Sequence, residues 1–533
     1  MRIFLVFVLP AAQALNSLVV HTSSGLVHGG VDADTPNVMH FLGVPYAEPP
    51  VGSRRWLPAV PKVWGDNTNI NATHFGPACP QYDSDKPTTW LVDAPEFKVS
   101  PRDYQGEDCL SVNIWAPLQK GVAPEHGTAS LPVVIWIHGG SFQTGGAATP
   151  YHIPSRWVER SGKHIVVAIK FVETPGCSGS SRLTLPSYRL NIFGWPNARG
   201  LKSDEQNLGY LDQRLAVEWI RDNIAAFGGD TNRITLWGHS AGSVSVDSYS
   251  FAYSHDPIIA GLILSSGTAQ SVVQFGSPNF TKVAENFRCN ISDPDAELAC
   301  MRDVPSQDIT AFLKQRLDNG TRPALSFTPV VDNRTSWANH TSRALSGKFI
   351  QKPAIIGTTV NEWAPFLPYN RTYGPNQTLA DNGTLSVFLC PSVLTTHERW
   401  AGGNATTFRY LYGGNFSNIA PRWWEGAYHS SDLPLVHGTH NIARGNSTLL
   451  EIEVSKRMQD YWLAFAEDPV NGLPAAGWQG YSGTLSGESV LFGWHGEVVQ
   501  HIADTDLESA CDSGVPNGKP NPPAGQGWGC RSR

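Results

Sequence analysis

The stretch Arg233-Ile-Thr-Leu-Trp-Gly-His-Ser-Ala-Gly242 decides the fold, because a β-rich run leads directly into the pattern Gly-x-Ser-x-Gly. The residues from Ser243 onward suit a helix, so the predicted order is strand, sharp turn and helix. The glycines around Ser240 permit a strained turn in which neighbouring backbone passes too close for a Cβ atom. Such a turn holds a hydroxyl above the sheet edge, at a helix N-terminus that favours negative charge. The stretch therefore predicts a nucleophilic serine, with a plain Gly-Ser turn as the alternative.

Short apolar runs on both sides of this stretch predict further strands. Residues 131–137 form an uninterrupted apolar run, as expected of a strand covered on both faces. Similar runs occupy residues 112–115, 165–169, 261–265 and 353–357, and residues 17–60 suggest short strands with glycine turns.

Helical patterns alternate with these strands. Apolar residues recur on one face from 207 to 227, and Gly228-Gly229 ends the pattern. Val454, Met458, Trp462 and Phe465 indicate a late amphipathic helix. Strands that alternate with helices predict an α/β protein with a mostly parallel central sheet.

The N-terminus predicts secretion. Residues 1–14 have the features of a signal peptide: a basic start at Met1-Arg2, an apolar core at residues 3–9 and the cleavage pattern Ala12-Gln-Ala14. The apolar core is too short for a bilayer, which needs about 20 residues, and no later stretch of the sequence qualifies as a transmembrane segment.

Asn-x-Ser/Thr sequons agree with a secretory route, and they predict an N-glycosylated surface. Twelve of them occur in the chain, at Asn71, Asn279, Asn290, Asn319, Asn333, Asn339, Asn370, Asn376, Asn382, Asn404, Asn415 and Asn446.

The charge pattern argues against nucleic acid as a partner. The net charge is −7 and the isoelectric point is about 6.2. Binding to a phosphate backbone depends on clustered Lys and Arg, and the sequence contains no such run.

Eight cysteines suit an oxidising compartment. Spacing alone suggests that Cys79–Cys109 and Cys289–Cys300 close loops and that Cys511–Cys530 staples the Pro/Gly-rich tail, which leaves Cys177 and Cys390. Eight cysteines allow 105 full pairings, so these pairs are hypotheses. A zinc site is the alternative, although the chain has no Cys-x-x-Cys motif.

A serine nucleophile needs a base, a carboxylate that orients the base, and donors for the oxyanion. In a strand–turn–helix architecture of this kind the chain order is serine, acid, histidine. Glu362 follows the strand predicted at 353–357, where catalytic groups gather. His429 is a candidate base, but His437 and His440 compete with it, and their spacing also suggests a metal pair.

Several blocks of sequence, in the right order, resemble the type-B carboxylesterase/lipase family, which includes cholinesterases and fungal lipases. The resemblance covers roughly residues 18–500 and rests on the segments 43–52, 107–117, 138–142, 212–230 and 238–242 and on the segment around His429. It implies an α/β-hydrolase fold with helices on both faces of the sheet. One large domain is expected over residues 15–510, followed by a tail at 511–533.

The resemblance implies roles for individual residues. It implies a catalytic triad in which Ser240 is the nucleophile, Glu362 the acid and His429 the base. It implies an oxyanion hole from the backbone N–H groups of Gly140, Ser141 and Ala241. It also implies disulfides Cys79–Cys109 and Cys289–Cys300. The implied mechanism uses neither a metal nor an organic cofactor.

Four features depart from the family pattern. Ser141 replaces the third glycine of the usual oxyanion run, and Trp363 follows Glu362 where glycine is usual. Ser111 stands where an aromatic residue or Thr is commoner. Residues 170–187 form an insert that is either a lineage-specific loop or translated intron. Separately, His239 precedes the nucleophile where cholinesterases carry Glu, which argues against that activity.

The sequence therefore predicts a secreted serine hydrolase acting on small-molecule or lipid carboxylic esters. A triglyceride lipase or sterol esterase is the alternative, because the region of Trp90 and Phe97 suits either a lid or a packed loop. A catalytically inactive binding homologue is a further alternative, but such homologues typically lose the serine. A tannase-like esterase is disfavoured, since no cysteines lie beside Ser240 and His429.

Overall fold

The computed structural model describes residues 18–62, 68–98, 105–118, 130–146, 149–169, 188–271, 279–481, 483 and 487–513. The expected signal peptide at 1–14, the insert at 170–187 and residues 514–533 lie outside the described residues, as do Cys177 and Cys530.

The described residues form sixteen strands, which we number in chain order. They are β1 Val19–Thr22, β2 Gly25–His28, β3 Gly30–Asp32, β4 Thr35–Pro45, β5 Asn69–Asn71, β6 Ser111–Pro117, β7 Leu131–Ile137, β8 Ile165–Ala168, β9 Gly229–His239, β10 Gly261–Ser265, β11 Ala354–Thr359, β12 Tyr369–Asn370, β13 Gly374–Pro375, β14 Thr407–Tyr412, β15 Glu488–Phe492 and β16 Val499–Ala503.

The α-helices are numbered in the same way. They are α1 Ser155–Ser161, α2 Asn191–Gly194, α3 Leu208–Asn223, α4 Ala241–Ala252, α5 Asn279–Asn286, α6 Pro294–Arg302, α7 Ser306–Asp318, α8 His340–Leu345, α9 Gln377–Gly383, α10 Cys390–Gly403, α11 Leu433–His437, α12 Leu449–Glu467, α13 Gly472–Ala475 and α14 Asp504–Ser513.

Eleven of the described strands form one sheet in the order β16-β15-β14-β11-β10-β9-β7-β8-β6-β4-β3. Each neighbouring pair from β15 to β8 is parallel, and the pairs at both edges are antiparallel. Strand β9, which leads into the turn at Ser240, lies between β7 and β10, near the middle of the sheet. Smaller sheets join β1, β2 and β5, and β12 with β13.

Alternate side chains of the central strands enter two separate hydrophobic cores. On β7, Val133 and Ile135 pack into the core that contains α3 and α4, while Val134 and Trp136 pack into the core that contains α1, α11 and α12. Both faces of the sheet are thus covered by helices, which explains why the strand at 131–137 is continuously apolar. The predicted α/β-hydrolase fold, a mostly parallel sheet within one domain, is confirmed.

The predicted elements differ from the observed ones mainly at their ends. The helix expected over 207–227 consists of α3 and a 3₁₀ turn at Ile224–Phe227, and Gly228 at φ 88° terminates it. A left-handed glycine of this kind is a common helix stop.

Three disulfides join described cysteines. Cys79–Cys109 and Cys289–Cys300 are the pairs that the family resemblance implies. The third, Cys390–Cys511, ties α10 to α14. The hypothesis of a Cys511–Cys530 staple is therefore wrong, and the tail expected from residue 511 begins inside a helix. Spacing favoured a local pair, whereas folding brings together cysteines that are 121 residues apart.

None of the helices in the described ranges is long and apolar enough to cross a membrane. The same ranges contain no group of three or more His, Cys, Asp or Glu side chains arranged to hold a metal ion.

Replacing Cys390 and Cys511 together by alanine should lower the free energy of unfolding by about 2–4 kcal/mol, because the cross-link restricts the unfolded chain. Urea unfolding followed by tryptophan fluorescence measures the change. Cys530→Ala is the matched control and should leave the unfolding midpoint in place. Equal destabilisation by Cys530→Ala and Cys511→Ala would contradict the observed pairing.

Candidate active site

Ser240 lies in the turn between β9 and α4. Its backbone has φ 54° and ψ −123°, a conformation that is strained for a residue with a Cβ atom. Its N–H donates to the carbonyl of Ser265, at the end of β10, over 2.9 Å. The surrounding backbone therefore holds the serine at the carboxyl edge of the parallel strands, directly before the N-terminus of α4.

Both glycines of the motif are required by packing. A Cβ on Gly238 would lie 2.1 Å from the carbonyl oxygen of Gly242, and a Cβ on Gly242 would lie 2.1 Å from the carbonyl oxygen of Ile137. These distances are far inside van der Waals contact, so no larger residue fits without moving β7 or α4. The sharp strand–turn–helix geometry thus depends on glycine before and after the serine.

Glu362 and His429 are brought together by two loops that leave neighbouring parallel strands, β11 and β14. A parallel bridge pairs Asn361 with Tyr428, and the Asn361 N–H donates to the carbonyl of Ala427 over 2.9 Å. The residues that follow this bridge are therefore in register. Nδ1 of His429 lies 2.5 Å from Oε2 of Glu362.

Glu362 is fixed from the other side as well. Its second oxygen, Oε1, accepts a hydrogen bond from the backbone N–H of Thr359 over 2.7 Å. A carboxylate acceptor at Nδ1 favours the imidazole tautomer that carries its proton there, which leaves Nε2 of His429 as an acceptor.

Burial removes water from both members of this pair. It lowers the pKa of the His429 imidazole, because the charged imidazolium loses its hydration. The His429 imidazole is therefore neutral at neutral pH. A neutral imidazole with a free Nε2 has the form that a general base requires.

The loop after β7 lies against the Ser240 turn. A Cβ built on Gly139 would approach the Cβ of Ser240 to 2.7 Å, so only glycine permits this contact. Gly140 and Ser141 follow with φ values of 114° and 55°. Within the described chain, neither of their backbone N–H groups has an acceptor. Ala241 opens α4, where the first N–H groups have no intrahelical partner.

A cavity of about 370 Å³ opens in front of these groups. Gly139, Gly140, Ser141, Ser240 and His429 all line it. Seven aromatic or aliphatic side chains also line it: Tyr82, Trp90, Leu91, Phe97, Leu317, Leu325 and Phe366. The site therefore combines a hydroxyl, a neutral imidazole and unpaired amide donors with an apolar chamber. This set of groups suits nucleophilic attack on a carbonyl carbon.

The competing histidines have other surroundings. His437 is buried against Trp237, with ring centroids 4.9 Å apart, and Nδ1 of His440 lies 2.6 Å from the hydroxyl of Ser447. Neither residue lines the cavity that contains Ser240. Of the three candidates, only His429 is hydrogen-bonded to Glu362.

Three residues that support the site, Phe366, Phe388 and Asp432, were not singled out from the sequence. The rings of Phe366, Phe388 and His239 surround the imidazole of His429, with centroids 5.1, 4.9 and 4.5 Å away. Asp432 is buried on the same loop, and its Oδ2 accepts a hydrogen bond from the Tyr410 hydroxyl over 3.1 Å. Its position three residues after His429 was the available signal, but sequence does not show which loop residues turn inward.

Trp363, a departure from the family pattern, and the region of Trp90 and Phe97 all pack on other aromatic rings. Trp363 stacks on Phe366 with centroids 4.8 Å apart. Trp90, in a π-helical turn at Thr89–Asp93, packs on the same Phe366 at 5.0 Å. Phe97 packs on Tyr151 at 4.8 Å. The Trp90 ring also lies 6.2 Å from the imidazole of His429.

The sequence matches known proteins over most of its length. Residues 16–382 match the sequence model of the Carboxylesterase family. The chain is 41% identical over 489 residues to Secreted lipase 5 of Gibberella zeae, covering 87% of both chains. It is 41% identical over 467 residues to a chlorogenic acid esterase of Aspergillus niger, covering 87% of this chain and 85% of the relative. An acetylcholinesterase of Danio rerio is 30% identical over 366 residues, which are 67% of this chain and 53% of the relative.

Proposed function

The chain belongs to the carboxylesterase family and is a carboxylic ester hydrolase, and from this premise we propose that it is a secreted serine esterase that forms an acyl-enzyme on Ser240. The observation that carries the proposal is the 2.5 Å contact between His429 and Glu362, because it orients an imidazole in the cavity that Ser240 lines. The relatives named as a lipase and an esterase support the same class of reaction.

In the proposed acylation step, Nε2 of His429 accepts the hydroxyl proton of Ser240 while the serine oxygen attacks the ester carbonyl carbon. Glu362 holds the imidazole in the required tautomer and stabilises the imidazolium that forms. The carbonyl oxygen becomes an oxyanion that accepts hydrogen bonds from the N–H groups of Gly140, Ser141 and Ala241. Each such donor typically contributes about 3 kcal/mol to the transition state.

The tetrahedral intermediate then collapses. His429 returns the proton to the alkoxy oxygen, the alcohol leaves, and an ester links the acyl group to Ser240. In deacylation, His429 takes a proton from a water molecule whose oxygen attacks the acyl carbon. The bond to Ser240 then breaks, His429 returns the proton to the serine oxygen, and the carboxylic acid leaves.

The proposal includes a secretory route. In this route the signal peptide at residues 1–14 is removed and the chain is N-glycosylated. The catalytic domain then begins at about residue 15, and it contains the insert at 170–187. The disulfides and the relative named as a secreted lipase support it. The sequon at Asn279 is excluded from the glycan sites, because that side chain is buried and its amide donates to the carbonyl of Ser326.

Lipase activity is the second candidate, and the 41% identity to a secreted lipase favours it. The cavity volume of about 370 Å³ is in the range for one small ligand rather than a triacylglycerol. We therefore expect kcat/KM to be highest for short-chain 4-nitrophenyl esters and to fall for long chains. A profile from acetate to palmitate, below and above the solubility limit of each ester, measures this. A rate that rises at the interface would instead establish a lipase.

Replacing Ser240 by alanine should lower kcat for 4-nitrophenyl butyrate by at least about 10⁴-fold, because the acyl acceptor is lost. Ser386→Ala is the matched control, since Ser386 is exposed and bonds only the carbonyl of Asn382. Full activity of folded Ser240→Ala would contradict the proposed nucleophile. A folded wild-type protein without esterase activity would instead support a binding homologue.

The pH dependence of kcat/KM should show an acid limb below pH 6.5. Burial lowers the pKa of His429, so the imidazole stays neutral to more acidic pH than an exposed one; activity is lost as pH falls through this lowered pKa. Initial rates with 4-nitrophenyl butyrate between pH 4 and 8 locate the limb. A limb above pH 6.5 would mean that the carboxylate of Glu362 raises the pKa of His429 by more than burial lowers it.

A further inference from the structure

The cavity in front of Ser240 has an unusual distribution of charge. Apart from imidazoles, only two of its described lining residues are ionisable with a charge at neutral pH, Asp83 and Lys98. Asp83 is exposed to solvent, whereas Lys98 is partly buried. The cation therefore lies in the drier surroundings of the two.

The backbone that carries Lys98 is anchored. Lys98 follows a 3₁₀ turn at Pro95–Phe97, and its N–H donates to the carbonyl of Pro95 over 2.8 Å. The carbonyl of Phe97 accepts a bond from the Thr149 hydroxyl over 3.4 Å. Because the Phe97 ring also packs on Tyr151, this segment presents the Lys98 side chain from a fixed position.

Nearby carboxylates are already engaged with other groups. Glu96 pairs with Arg444 over 2.6 Å, and Asp93 accepts bonds from Tyr369 and Arg422, each over 2.9 Å. In the portion of the chain that the structure describes, no carboxylate lies within ion-pair distance of Lys98. Among the described residues, therefore, no carboxylate competes with a ligand for Lys98, which lines the cavity.

A cation in this position has a specific physical effect. The protein as a whole has a net charge of −7, which disfavours anionic ligands. The aromatic walls lower the local dielectric, so an anion next to Lys98 gains more than it would in water. A neutral ester gains nothing from the same ammonium.

We propose that Lys98 determines substrate specificity by binding an anionic group remote from the ester bond, so that esters carrying a carboxylate are preferred substrates. This inference rests on the proposed function and adds the substrate class. Binding involves no covalent step: the ammonium donates a charge-assisted hydrogen bond to the carboxylate while Ser240 attacks the ester carbonyl.

Two matched pairs of esters test the proposal. The first pair, 4-nitrophenyl glutarate monoester and 4-nitrophenyl pentanoate, differs by a carboxylate on the acyl part. The second pair, 3-butyryloxybenzoate and 3-butyryloxybenzamide, differs by a carboxylate on the alcohol part. For each pair, the ratio of kcat/KM for the carboxylate ester to that for the neutral ester is compared between wild type, Lys98→Met and Lys98→Arg.

In at least one pair, Lys98→Met should lower this ratio by roughly 10-fold, mainly through a higher KM, and Lys98→Arg should retain most of it. The responding pair identifies which part of the ester meets the lysine. Lys348→Met is the control, because this exposed lysine does not line the cavity but changes the net charge equally. Its ratio should match that of wild type.

The outcomes separate the two proposals. Equal ratios in Lys98→Met and wild type for both pairs would overturn the role of Lys98, as would a wild type that hydrolyses only the neutral esters. Ser240-dependent turnover of the neutral esters would leave the proposed esterase function standing in either case. Absence of any turnover by folded wild type would refute the esterase function itself.

Discussion

The buried contact between His429 and Glu362 is the interaction on which the candidate site depends. It joins the loops that leave β11 and β14, and the Asn361–Tyr428 bridge sets their register one residue earlier. Removing one partner leaves the other buried without its hydrogen bond, which typically costs about 1–3 kcal/mol. The same contact therefore contributes to the closure of the two loops and to the state of the imidazole.

The parallel sheet makes this arrangement possible. Carboxyl ends of parallel strands meet at one edge, so the loops after β7, β9, β11 and β14 all reach the same region. Glycines at positions 139, 238 and 242 let these loops approach closer than any side chain permits. Two hydrophobic cores hold the strands from both faces, and this rigid support maintains the strained backbone of Ser240.

Aromatic packing then determines the character of the chamber. Trp90, Trp363 and Phe366 pack on one another beside His429. Burial lowers the pKa of His429, and the low dielectric of the apolar walls strengthens the electrostatic interactions of any charged group in the cavity. Selectivity in such a site depends on the few charged groups that remain, and this gives Lys98 its proposed role.

The sequence by itself determined the fold class and the strand–turn–helix around Ser240, because both depend on local patterns of apolar residues and glycines. It also predicted a catalytic order of serine, acid and histidine from that architecture. It left His429, His437 and His440 as competing bases and favoured a local Cys511–Cys530 pair. The tertiary structure showed that, of these histidines, His429 contacts Glu362, and that Cys511 pairs with Cys390. The physical reason is that contacts across 67 and 121 residues depend on strand order in the folded sheet, which no local pattern encodes.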